Sequence, residues 1–101
     1  MSRLMEELEN TIQNLESVRD SQDAPPDELL QQLDALYEQQ IMLIAAAINE
    51  DTQQYAAALD AMTQAAKTTS TAIADLTKLE ESIGKVATAI AKVSEVLQKI
   101  A

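Results

Sequence analysis

The chain has 101 residues, enough for one domain, and is 47% hydrophobic with only two aromatic side chains, Tyr37 and Tyr55. One Gly, an adjacent Pro pair and the absence of Cys and His exclude a turn-rich sheet protein, a disulfide framework, a thiolate metal site and histidine-based catalysis. The net charge of -10 is segregated: residues 1 to 60 hold 13 acidic and 2 basic side chains, net -11, and residues 61 to 101 hold 4 and 5, net +1, so a polyanionic partner such as nucleic acid is not expected.

The first predicted helix covers about residues 2–20. Ser2 is placed to cap its free amides, and Glu6, Glu7 and Glu9 lie near the positive end of its dipole. Leu4, Leu8, Ile12, Leu15 and Val18 recur at spacings of 4, 4, 3 and 3, a single apolar stripe on a 3.6-residue helix. Residues 21–26, SQDAPP, form a turn, because each proline pushes its predecessor out of the helical region.

A second helix is expected over about 27–49, with Asp27 and Glu28 in its first turn. Its apolar set is Leu29, Leu33, Leu36, Tyr37, Ile41, Ile44 and Ile48. The run Ile41 to Ile48, IMLIAAAI, is too short for the roughly 20 residues that cross a bilayer, and reads as a buried helical segment covered on more than one side. Asn49 to Thr52 reads either as the polar face of one continuing helix or, the preferred reading, as a short break with Asn49 ending one helix and Asp51 or Thr52 capping the next.

A third helix is expected over about 51–67 and a fourth over about 71–100, either separated by a kink at the KTTST cluster, residues 67–71, or continuous through it. The last segment is the most regular. Ile73, Leu76, Leu79, Ile83, Val86, Ile90, Val93, Leu97 and Ile100 make a nearly heptad seam, flanked by Lys78, Lys85, Lys92 and Lys99 at intervals of seven. Gly84 interrupts that seam, either as the site of a close helix crossing or as a tolerated weakness of about 1 kcal/mol. The many alanines favour close helix approach. The fold expected is therefore an all-α antiparallel bundle of three or four helices in a single domain, 1–101, with a long coiled-coil-like C-terminal helix, and oligomeric. The Ala/Thr/Ser-rich heptads from Ala58 onward resemble, in composition only, coiled-coil stretches of bacterial signalling and secretion proteins; no functional residue carries over.

Chemistry finds little to work with. A nucleophile needs an activating base, and neither His nor Cys is present. Carboxylates at helical spacing, such as Glu16 with Asp20, lack the His that completes bundle di-metal sites. One Gly cannot build a phosphate loop. No enzyme activity, metal or cofactor is expected. Neither is a leader peptide, since the N-terminus is acidic rather than basic, and the placement expected is cytoplasmic.

The function expected is that of a helical protein–protein interaction module, an assembly, adaptor or small chaperone-like subunit. It would associate with itself as a homo-oligomer, or with a helical partner, through the seam Ile73, Leu76, Leu79, Ile83, Val86, Ile90, Val93, Leu97 and Ile100. The alternative is an acidic inhibitor or immunity-type protein that covers the basic site of a nuclease or nucleic-acid-binding protein with Glu6, Glu9, Glu16, Asp20, Asp23, Asp34 and Glu38. A membrane-lying first helix ranks last, because such helices usually carry basic polar faces.

Overall fold

A computed structural model describes residues 2–99. Four α-helices follow one another: α1 (Arg3–Asp20), α2 (Asp27–Ala45), α3 (Gln53–Ala74) and α4 (Leu79–Gln98), with a 3-10 turn, Leu76–Lys78, between the last two. There is no strand among the described residues.

Local signals at the N-termini act as the sequence suggests. Ser2 Oγ accepts from the Met5 amide and Thr52 Oγ1 from the Tyr55 amide, each at 3.1 Å, satisfying donors that a helix start leaves free. All five residues of the α1 stripe are buried, joined by Met5 and Thr11. The Leu4 amide, another free donor of the first turn, donates to the Tyr55 hydroxyl at 3.3 Å.

Hydrogen bonds between helices give their directions. Glu16 pairs with Tyr37 and Glu9 with Gln40; one number falls as the other rises, so α1 and α2 are antiparallel. Leu4 pairs with Tyr55, and Asn14 donates to the Ala66 carbonyl and to Thr69, so α1 and α3 run parallel. Gln32 donates to the Ile83 carbonyl and Gln39 to that of Ile90, so α2 and α4 are parallel as well. It follows that α3 and α4 are antiparallel. The molecule is two helical hairpins laid side by side, with α1 touching α2 and α3, and α4 touching α2 and α3. The pairs 4 with 55, 32 with 83 and 39 with 90 share an offset of 51 residues, so the second hairpin repeats the placement of the first.

This arrangement forces the link between α2 and α3, residues 46–52, to cross one end of the bundle on its diagonal. Here the structure corrects the expectation of a helix to 49. The helix stops at Ala45 and Ala46 is extended (φ -89°, ψ 145°), because an extended chain covers over 3 Å per residue and a helix only 1.5 Å. Alanine's helix propensity loses to the span required. The reading of Ile41 to Ile48 as a segment buried on more than one side is also corrected: Leu43 is buried and Ile48 half-buried, but Ile41 is 69% and Ile44 73% exposed.

The KTTST cluster does not break the helix, which runs on to Ala74. Thr68, Thr69 and Thr71 donate their hydroxyls to carbonyls four residues back, those of Gln64, Ala65 and Lys67, which lets these residues sit within a helix. The break comes at Asp75, whose carboxylate accepts from the amide and hydroxyl of Thr77. A thin face, Ala58, Ala65, Ala66 and Ala72, lets α3 fit between α1 and α4.

Gly84 is not a crossing point within the chain. A methyl group built on it meets nothing within 4 Å. Gly84→Ala is therefore expected to stabilise the protein by up to about 1 kcal/mol, raising the melting temperature by about 4–8 °C for a domain of this size. Calorimetry checks this, and a fall in melting temperature would show that the position needs glycine.

Candidate functional site

The α4 seam is the first place to look, and most of it is already occupied. Val86 and Val93 are fully buried inside the bundle, beside Ala89 and Val96. Leu79, Ile83, Ile90 and Leu97 are half-buried, and Leu79, Ile90 and Leu97 pack against the core. Ile73 and Leu76 are exposed at the α3–α4 corner, and Ile100 lies outside the described residues. The nine positions therefore do not form one uncovered surface. The heptad spacing records packing on α2 and α3 of the same chain, because a helix with two neighbours in a bundle repeats its core contacts at this period whether the partner is internal or external.

The exposed large apolar side chains lie elsewhere, chiefly on α2: Leu30, Ile41, Met42 and Ile44. At 100° per residue, Leu30, Tyr37, Ile41 and Ile44 follow one outer stripe. Met42 falls on the other side of the exposed face, toward α4. The sequence concealed this, since Ile41 and Ile44 looked no different from buried Leu33 and Leu36. A cue was present in the width of the apolar arc around Ile41, too broad for one core-facing side to absorb.

Between α2 and α4 runs an open groove. One depression of about 410 Å³ is lined in part by Ala35, Met42, Ile90 and Leu97. A second of about 220 Å³ shares Ala35 and Ile90 with it. Gln39 lines the first and Gln32 the second. Their amide nitrogens are engaged by α4, yet Oε1 of both, like Ser82 Oγ, is buried without a hydrogen-bond partner.

The acidic residues divide into two groups. Glu6, Asp20, Asp23, Asp34 and Glu38 are exposed. Glu9 and Glu16 are half-buried along the α1–α2 contact, where Gln40 donates to Glu9 at 3.4 Å and Tyr37 to Glu16 at 2.5 Å. Among the described residues only Arg19 with Asp20 and Lys92 with Glu95 form ion pairs, so Asp34 and Glu38 on α2 carry unpaired charge. No group of three or more residues among those described could hold a metal ion, and no described helix is long and apolar enough to cross a membrane.

The hydrogen bond to Glu16 is the main reason that the Tyr37 phenol titrates above its ordinary value; burial and the Glu16 charge add to it, and Arg19 opposes. A folded-state value raised above the unfolded one gives stabilisation that is complete below about pH 10 and is lost as pH rises through the folded value. Tyr37→Phe should thus be less stable than the parent near neutral pH, and the gap should close as pH climbs past that range. Urea melts across the range check this. A gap independent of pH would mean that the phenol–carboxylate bond contributes nothing.

The class these features define is an all-α protein of four helices in two parallel-stacked hairpins. No protein-family model matches the sequence, and neither a curated protein nor a solved structure is significantly similar to it.

Proposed function

We propose that the chain is a non-enzymatic helical interaction module, an assembly or adaptor subunit that binds a helical partner or a second copy of itself, and that it does so through the outer face of α2 and not through the α4 seam as a continuous surface. The supporting observation is the exposure of Ile41 and Ile44, 69% and 73%, beside Met42 and on the same helix as Leu30. Large aliphatic side chains grouped on one helix leave apolar area in water, and such patches typically mark interaction sites. Asp34 and Glu38 border the stripe and favour a partner with basic side chains, which keeps the inhibitor reading attached to this same face and away from Glu6 and Asp23.

The test uses Ile41→Glu with Ile44→Glu, both at exposed positions, so circular dichroism should match the parent. Sedimentation over a range of concentrations reads self-association, and capture from cells of the source organism reads other partners. Loss of either in the double variant supports the proposal. An association state and a set of captured proteins unchanged by the double substitution would sink it.

A further inference from the structure

We infer that the groove between α2 and α4 docks a basic amphipathic helix of another protein; this rests on the interaction-module reading and adds the partner's chemistry. Shape is the first ground. Two parallel helices bound an open trough whose depressions join at Ala35 and Ile90, and the small side chain of Ala35 leaves room that a larger residue would fill. The floor supplies Met42, Ile90 and Leu97, apolar anchors of the kind that take residues at i, i+3 or i+4, and i+7 of a docked helix.

Charge selects the sign of that helix. Glu38 borders one depression and Glu28 the other, and no Lys or Arg lines either. Helix α2 carries Asp27, Glu28, Asp34 and Glu38 and no basic residue. The lysines of α4 do not compensate: Lys92 follows Ile90 by two residues, about 160° around the helix from the groove wall, and Lys85 lies similarly far round. Carboxylates without counterions and an apolar floor together fit a stripe of Leu- or Ile-like residues flanked by Lys or Arg. A second copy fits worse, since two chains of net charge -10 repel.

The probe is an 18-residue synthetic peptide of leucine and lysine in an amphipathic helical pattern, with a leucine–glutamate peptide as its counterpart, titrated into the isotopically labelled full chain and followed by NMR. The lysine peptide should bind saturably at one site, shifting the Gln39 side-chain amide and the backbone amides of Ala35, Met42 and Ile90. The glutamate peptide should not bind. Glu38→Lys and Met42→Lys, both at exposed positions, should each weaken binding by about tenfold or more, and raised salt should do the same. Shifts spread over every acidic face, or undiminished in both variants, would overturn the inference as unspecific charge attraction. No binding of the lysine peptide, or a groove found filled by a second copy, would overturn it equally. Shifts centred on Ile41 and Ile44 would overturn the groove while leaving the interaction-module reading intact. That reading fails separately, through the Ile41→Glu with Ile44→Glu double variant.

Discussion

Val93→Asp is expected to unfold the protein at every concentration. Val93 is fully buried in the core, and nothing basic is buried with it, so an aspartate there is either an unpaired charge in an apolar site or a carboxylic acid short of hydrogen-bond partners. Burial of an unpaired charge belongs to the small class of substitutions that cost more than about 4 kcal/mol, against a total stability of about 5–15 kcal/mol for an ordinary domain. Ile73→Asp, on the same seam but exposed, should cost less than about 1 kcal/mol. Far-ultraviolet dichroism and urea melts of the two variants decide the matter. A seam used between molecules would leave dilute Val93→Asp folded as a monomer, and that result would refute the placement of α4 in its own bundle.

Replacing Gln32 and Gln39 together by Leu should make the protein more stable. Each glutamine buries an oxygen without a partner, a deficit of about 1–3 kcal/mol, while each of their three bonds to α4, to the Ile83 and Ile90 carbonyls and from Gln39 to Ser94 Oγ, is worth about 1 kcal/mol. Those carbonyls lie inside α4 and have helical N–H partners, so losing the side-chain donor leaves them satisfied. The expected gain is about 1 kcal/mol for the pair, or a rise of about 4–8 °C in melting temperature. A fall would mean that the two oxygens are satisfied in solution. Such a gain also explains what the glutamines do in its absence: donating to Ile83 and Ile90, seven residues apart, they specify how α2 lies along α4 where an all-aliphatic contact could slide.

Val93 and its neighbours hold α4 against the core, which leaves Ile90 and Leu97 as the seam residues that line the groove. Gln32 and Gln39 hold α2 at a set height on α4, which is what shapes the groove above them. A partner helix would therefore meet a wall already aligned, with less to order on binding.

By itself the sequence determined the class of fold, both ends of α1 and the starts of α2 and α3. The α1 stripe, the caps Ser2 and Thr52 and the turn before Pro26 are local matters, governed by side-chain spacing and by hydrogen bonds within a few residues, and these signals do not depend on what packs where. Tertiary structure decided which apolar residues are covered. Val86 and Ile44 carry equivalent signals along the chain, yet one is fully buried and the other largely exposed, because α2 and α3 stand on a diagonal and α4 fills the place beside α2. The same diagonal is crossed by a link that leaves the helix after Ala45, while hydroxyl bonds to the preceding turn let α3 run through Thr68 to Thr71. Periodicity says that a face is apolar; the order of helices around the bundle says whether that face is core or surface, and that order is not written in any one segment.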